Sequence, residues 1–281
     1  MYPVLFEIGG FEVTSFGVMI FLSFLTGAWI LSLQLERRGM DPEIAWEVLA
    51  ATAIAGVVGA KLYYMGLHWR DFVADPVGEL TSRAGLVWYG GLIGGVTAFY
   101  WEARRRKLPI ATMFDGAAPA LGLAYAVGRV GCFLVGDDYG LPTDSGIGVA
   151  FPQGSPPSTA GYFRSLGVDV DAALPDTAVL AVHPTQLYEV AAGLAMFAIL
   201  WQLAKRALRP GQLFGAFLVL YGIERFAVEF VRAKGDRFVF GLTTSQIASL
   251  AALGVGLWLW TRLPGRPAVA ARAAAREEAA V

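Results

Sequence analysis

An all-α membrane protein is what the sequence predicts: about seven transmembrane helices, N-terminus outside and C-terminus cytoplasmic, with a small extracytoplasmic head between spans four and five. Three observations carry that expectation. Of the 281 residues, 56% are hydrophobic and 16% charged, with mean hydropathy +0.54, whereas a soluble domain carries about 25% charged residues. Apolar runs long enough for a bilayer, about 20 residues at a rise of about 1.5 Å each, recur along the chain. The basic residues between those runs gather on alternate connections, the asymmetry that orients membrane helices.

The runs lie at 15–36, 43–67, 85–103, 109–135, 184–204, 211–231 and 241–262. Ahead of them, Met1 to Thr14 holds Glu7 and Glu12 but no basic residue before an apolar stretch. That is not the pattern of a cleaved signal, so the first span is expected to stay in the mature protein. The third run is glycine-rich (GLVWYGGLIGG) and the fourth ends in a second glycine cluster (GRVGCFLVG), which lets both approach neighbouring helices closely. No repeat suggests the inverted halves of a transporter. Arg37, Arg38, Arg104 to Lys107, Lys205, Arg206, Arg209, Arg262 and Arg266 fall on one side, which is therefore the cytoplasmic one. The opposite side receives the N-terminus, the acidic segment from Arg70 to Arg83, the stretch 136–182 and the connection around Asp236. Within 136–182, turn residues surround a short helical patch (FPQGSPPSTAGYFRSLGVDVDAALPD), which reads as a lid or head. Its Asp138, Asp144, Asp169, Asp171 and Asp176 read as solvated surface. Residues 1–266 are expected to form a single integral-membrane domain, and 267–281 (PAVAARAAAREEAAV) a flexible cytoplasmic tail.

Composition also excludes several functions. A net charge of −1 offers no basic surplus for nucleic acid. The single cysteine, Cys132, rules out an internal disulfide and a cysteine-based metal site, and His68 has no second ligand at metal spacing. No metal and no cofactor are expected.

The topology assigns a depth to each ionisable residue inside the spans. Lys61, Tyr89, Arg129, His183, Arg225 and Glu229 all fall near the outer ends of their helices. Five helices thus bring polar groups to one level, which suggests a cavity facing the outer leaflet. A guanidinium in the bilayer is costly unless it holds an anion. Arg225 and Glu229 are four apart, and Glu229 and Arg232 three apart, so all three can share one helical face. By itself that pattern is equally an ion ladder that makes charge tolerable in lipid. Arg129, at the same depth, leaves positive charge in surplus over one glutamate, and a phosphodiester is the natural anion there.

These motifs carry a resemblance. GRVGCFLVGDDYG (128–140), HPTQLYE (183–189), YGIERFAVEFVR (221–232) and WYGGLIGG (88–95), in that order across seven spans, resemble the bacterial prolipoprotein diacylglyceryl transferases over nearly the full chain. The resemblance implies a multi-pass enzyme of the bacterial cytoplasmic (inner) membrane with its active site towards the outer leaflet. Its partners would be the bilayer, phosphatidylglycerol and the lipobox segment of a preprolipoprotein. The diacylglyceryl group would pass to the lipobox cysteine thiol, forming a thioether and releasing glycerol 1-phosphate. Arg129 matches the family's phosphatidylglycerol-binding arginine, and Arg225 with Glu229 matches its essential arginine and accompanying glutamate. Charge grows on the phosphate as the carbon–oxygen bond breaks, so two arginines would stabilise the transition state more than the ground state.

A thiol with pKa about 8.5 needs a base to become a nucleophile at neutral pH. His183, Glu229 and Asp137 are the candidates, with His183 alternatively capping the fifth span. Tyr89 stands where the family has a histidine, Cys132 where it has asparagine and Asp137 where it has glutamate. Leu141 and Phe16 replace an arginine and a tyrosine. A phenol of pKa about 10 is a poor base, so Tyr89 is expected to hydrogen-bond the lipid phosphate or ester. Cys132 reads as packing among glycines. Lys61, Gly90, Gly91, Gln186 and Glu189 complete the expected substrate-binding set, with Glu189 rather than Gln186 facing inward. The changed positions leave two other readings open: a related membrane phospholipid transferase with a different acceptor, or a non-catalytic lipid-binding or transport homologue.

Overall fold

The computed structural model describes residues 2–82, 85–233 and 241–262. The expected tail at 267–281, Arg83, Arg266 and the connection around Asp236 lie outside the described residues. The chain opens with β1 (Val4–Ile8) and β2 (Phe11–Thr14), an antiparallel pair joined by Gly9 and Gly10 at φ 57° and 82°. Two successive positive φ values suit a tight hairpin loop, and glycine adopts both without strain. The all-α expectation holds for the helices that follow, and this hairpin, signalled by the Gly-Gly pair in VLFEI-GG-FEVT, is an addition to it.

Ten helices follow among the described residues: α1 (Ser15–Arg37), α2 (Glu43–Leu67), α3 (Trp69–Ala74), α4 (Pro76–Thr81), α5 (Trp88–Arg105), α6 (Ile110–Val135), α7 (Ala160–Ser165), α8 (Thr185–Leu203), α9 (Gln212–Val228) and α10 (Thr244–Arg262). Each of the seven apolar runs becomes one helix, with ends moved by a few residues. By length and composition α1, α2, α6 and α8 can cross a membrane. The other three are α5, with 18 residues and Glu102, Arg104 and Arg105 near its end, α9 with 17 and α10 with 19. Large side chains such as Phe21, Trp29, Ile54, Trp101 and Trp258 are exposed on these helices, as expected of surfaces solvated by lipid.

The chain divides into two compact units, Met1–Thr26 with Ala118–Val281, and Gly27–Ala117. In the second unit α2 and α5 pack through glycines. A Cβ on Gly90 would overlap the Gly59 carbonyl, and one on Gly94 the Ala55 carbonyl, so small residues here permit near backbone contact. At the basic end of α5, Arg106 pairs with Glu102 at 3.1 Å and with Glu47 at 2.5 Å. The acidic segment after α2 is helical rather than extended: Asp75 caps α4 by accepting from the Gly78 N–H at 2.9 Å, with Pro76 beginning the helix.

The first unit packs by the same device. A Cβ on Gly193 would meet the Ala126 backbone at 3.0 Å, joining α8 to α6, and one on Gly222 the Ser249 carbonyl at 2.8 Å, joining α9 to α10. Residues 136–182 carry a short sheet in which β3 (Val149–Ala150) pairs with β4 (Ala181–Val182), together with α7. Their core is Tyr139, Phe151, Phe163 and Val182. Buried Ser158 accepts from the Phe151 N–H at 3.0 Å and donates to the Leu180 carbonyl at 2.9 Å.

Beneath the head, the strand-like segment around Gly140 ties three elements together. The Gly140 N–H donates to the His183 carbonyl at 2.8 Å, the Leu141 N–H to the Val231 carbonyl at 2.8 Å, and the His183 N–H to the Leu141 carbonyl at 3.0 Å. A Cβ on Gly140 would strike the Val231 carbonyl and the His183 Cβ. The chain leaving α6 is thereby fixed against the start of α8 and the end of α9.

Candidate active site

Three arginines from two helices and the turn after one of them pair with three carboxylates in the first unit, Glu189, Glu229 and Asp138. On α9 the i, i+4 spacing acts as expected: Arg225 Nη2 donates to Glu229 Oε2 at 3.0 Å. Its other arm, Nη1, donates to Glu189 Oε1 on α8 at 2.9 Å. Arg129 Nε on α6 lies 3.2 Å from Glu189 Oε2, and Arg232 Nη1 lies 3.6 Å from Glu189 Oε1. Glu189, fully buried, is therefore the carboxylate on which all three guanidiniums converge. Glu229 is fixed on its second oxygen by Thr243, whose hydroxyl donates to Oε1 at 3.0 Å. Thr243 itself opens α10 in a reciprocal cap, accepting from the Gln246 N–H while its own N–H donates to Gln246 Oε1.

Asp138 closes the cluster from the head side. Its Oδ2 accepts from Arg129 Nη1 at 2.8 Å, and its Oδ1 from Arg232 Nη2. On the opposite side of Arg129, the Tyr125 hydroxyl lies 3.0 Å from Glu189 Oε1 and 3.2 Å from both Glu224 oxygens. The Tyr125 ring also sits 5.3 Å from the Arg129 guanidinium carbon, in the range of a cation–π contact.

The expected surplus of positive charge is corrected by this arrangement. Sequence spacing matched one glutamate to two arginines, whereas the fold brings Glu189, Asp138 and Glu224 to the same place. Asp138, expected to be plain solvated surface, is part of the cluster. The facing of Gln186 is corrected as well. Three residues apart on α8, Gln186 and Glu189 are both fully buried, because i and i+3 lie on one helical face. Gln186 Nε2 donates to the Asp137 carbonyl at 2.5 Å, and the Thr185 hydroxyl to the Asp138 carbonyl at 2.7 Å. The start of α8 thus clamps the backbone that carries both aspartates.

Asp137 is held differently from Asp138. One carboxylate oxygen, Oδ1, is buried and has no hydrogen-bond partner among the described residues. Burial first, and the neighbouring Asp138 charge second, push its pKa up to about 6. Cys132 is buried, with Sγ 3.6 Å from Arg129 Nη1. Cys132, Asp137 and Asp138 offer three ligand atoms within 4.8 Å of one another, yet the chemistry of that set is unsuited to a cation, since Asp138 already serves two guanidiniums.

His183 Nδ1 is 3.1 Å from the Tyr188 hydroxyl. The residue at the start of α8 is Pro184, with no side-chain cap, so the histidine ring is committed to Tyr188 rather than to the helix end. In the second unit, Lys61 Nζ donates to the Ser82 carbonyl at 2.9 Å and lies 5.6 Å from the Tyr64 ring centre. Tyr89, partly exposed, packs edge-on against Trp88. Gly90 and Gly91 face α2, where Gly91 would place a Cβ 3.5 Å from the Gly56 carbonyl.

Sequence reasoning missed Asp138, Tyr125, Glu224 and Thr243. Tyr125 had a signal, because it precedes Arg129 by four residues on α6 and so shares its face. Asp138 had none, since it reaches Arg129 only after the chain turns at Gly136, with φ 68°.

Long apolar helices, four of them able to cross a membrane by length and composition, and a buried array of guanidiniums paired with carboxylates describe a helical membrane protein with an internal ion-pair cluster. Residues 3–262 match the family model described as prolipoprotein diacylglyceryl transferase, and the chain belongs to that family. The chain is 30% identical to the phosphatidylglycerol–prolipoprotein diacylglyceryl transferase of Clostridium tetani, with 92% of this chain and 97% of the relative covered. It is 33% identical to the protein of the same description from Stenotrophomonas maltophilia, covering 92% and 90%. With that from Xylella fastidiosa it shares 33% identity, covering 93% of each.

Proposed function

We propose that the protein transfers the diacylglyceryl group of phosphatidylglycerol to the lipobox cysteine thiol of a preprolipoprotein. The observation that carries this reading is the gradient of exposure across the arginines. Arg225 and Arg232 side chains are 8% and 3% exposed, whereas Arg129 is 17% exposed, so Arg129 is the one best placed to receive an anion from outside the cluster. In the reaction the substrate sulfur attacks the glycerol carbon, the carbon–oxygen bond to phosphate breaks, and glycerol 1-phosphate leaves with the negative charge. Arg129 meets that charge, held in place by Glu189, which Arg225 fixes from its other side. Remote buried charges of this kind act without reorganising at the moment of reaction.

The thiol proton goes to Asp137 in this reading. Glu229 has both oxygens engaged, while Asp137 keeps a buried carboxylate oxygen with no hydrogen-bond partner among the described residues. Transfer is expected to rise with pH through about 6 as that carboxyl ionises, and Asp137→Asn is expected to remove that limb of the pH–rate profile. Stability runs the other way. A carboxyl raised in the folded state favours folding below its unfolded pKa, and that contribution is lost as pH rises through about 6. The same variant should therefore unfold at a higher temperature than the parent above pH 6. A profile for Asp137→Asn superimposable on the parent's would assign the base elsewhere.

Residues 1–266 are proposed as one membrane domain of seven spans, N-terminus outside, in the bacterial inner membrane, with the Arg129 cluster towards the outer leaflet. The basic residues at the ends of α1, α5 and α8 support that orientation. Tyr89, Gly90 and Gly91 enter as lipid-contacting residues on the motif resemblance, and Lys61 on its position near the outer end of the second span. The test of the function is mass spectrometry of a lipobox peptide incubated with purified protein and phosphatidylglycerol. A diacylglyceryl mass increase on the cysteine, lost in Arg129→Ala, is the expected result. No increase with the parent protein would overturn the proposal in favour of another acceptor or a non-catalytic lipid binder.

A further inference from the structure

Asp138 combines features that a surface aspartate would not share. Each carboxylate oxygen accepts from a different guanidinium, Arg129 on one side and Arg232 on the other. Its side chain is 38% exposed, whereas Glu189 and Glu229, the other carboxylates paired with these arginines, are fully buried. Arg232, almost wholly buried, has an Nε with no hydrogen-bond partner among the described residues. Buried arginines need a counter-anion, and Asp138 supplies it from the accessible side.

The geometry of that contact matches another ligand. A phosphodiester also presents two non-bridging oxygens that share one negative charge, and paired guanidiniums recognise it through the same charge-assisted hydrogen bonds. The backbone of Asp138 does not have to move to make way. Its carbonyl accepts from the Thr185 hydroxyl, and the preceding carbonyl from Gln186, so the exchange is carried by the side chain of Asp138 on a fixed backbone. Glu189 and Glu229 would keep their arginine contacts throughout.

We propose that the Asp138 carboxylate stands in the phosphate position between Arg129 and Arg232, that phosphate binding exchanges one anion for the other, and that Arg232 is a second phosphate-binding arginine. The inference rests on the reading that phosphatidylglycerol is the substrate. Asp138 then sets affinity, because the phosphate binds only to the fraction of molecules in which the aspartate has swung away. It also favours departure of the phosphate product, by returning to the arginines.

The test is equilibrium binding to purified protein, parent and Asp138→Asn, of phosphatidylglycerol, glycerol 1-phosphate and zwitterionic phosphatidylcholine. Removing the internal anion should tighten phosphatidylglycerol binding by about tenfold if the competing fraction is about nine-tenths, with phosphatidylcholine unchanged. Equal tightening of glycerol 1-phosphate assigns the site to the phosphate whichever molecule carries it. Tightening of glycerol 1-phosphate alone overturns the lipid exchange. Unchanged or weaker binding by a variant with the parent's unfolding temperature overturns the proposal, since it would make Asp138 a mere positioner of the arginines.

A second measurement needs no variant. Carbodiimide labelling of the Asp138 carboxyl, located by peptide fragmentation, should increase when phosphatidylglycerol is added and not with phosphatidylcholine. Labelling that falls or stays constant overturns the exchange even if Asp138→Asn fails to fold. Both readouts are independent of transfer. Tightened binding without lipobox modification would sink the transferase reading alone, and modification with unaltered binding would sink only the exchange.

Discussion

Replacing Glu189 with alanine is expected to cost the fold about 3–5 kcal/mol, because it strands buried positive charge rather than merely deleting a contact. Glu189 is fully buried and lies 2.9 Å from Arg225, 3.2 Å from Arg129 and 3.6 Å from Arg232. It also meets the Tyr125 hydroxyl. No other carboxylate in the cluster touches all three guanidiniums, so the remaining ones cannot substitute for it without repacking α6, α8 and α9. Thermal unfolding in detergent, compared with Asp144→Ala on the head, measures the effect. An unfolding temperature for Glu189→Ala equal to the parent's would mean that the three arginines are neutralised in some other way.

Arg225→Lys should reduce lipobox modification by about 100-fold or more, the scale on which preorganised charge at a reaction centre acts. The two arms of Arg225 engage separate helices, Nη1 on Glu189 of α8 and Nη2 on Glu229 of α9. An ammonium is a compact point charge and cannot reproduce that fork. With one bond lost, Glu189 is free to shift towards Arg129 and Arg232, and the position offered to phosphate shifts with it. Initial rates from the peptide assay provide the measurement, with exposed Arg105→Lys as a control expected to match the parent. Full activity in Arg225→Lys would show that charge alone, without the fork, is sufficient at this position.

How much of this could be read without coordinates depends on the range of each interaction. The seven helical runs were legible because their signal is local: apolar composition over a bilayer's thickness is a property of consecutive residues. The Arg225–Glu229 contact was legible for the same reason, being an i, i+4 pair within one helix. The hairpin at Val4 to Thr14 was legible too, in eleven residues whose Gly-Gly turn separates two short strands rich in Val, Ile and Phe. The shared face of Gln186 and Glu189 follows from their i, i+3 spacing.

Asp138 belongs to another category. It shares its segment with Asp144 and Asp171 and is exposed like them, and no spacing rule distinguishes it from them. Glu224 was overshadowed by Arg225 beside it, although adjacent residues on a helix face different ways and Glu224 faces Tyr125. Thr243 meets Glu229 only because α10 folds back along α9.

By itself, the sequence determined that this is a helical membrane protein, where its helices run, which family's motifs it carries, and that Arg129, Arg225 and Glu229 are costly to bury and must be paired. Only the tertiary structure decided the partners: Glu189 at the meeting of three guanidiniums, Asp138 between Arg129 and Arg232, and Asp137 with an acceptor left open. The division follows from physics. Hydrophobicity and helical periodicity are written in neighbouring residues, whereas the neutralisation of a buried charge depends on which distant segments the packing of glycine-lined helices brings within 3 to 4 Å of it.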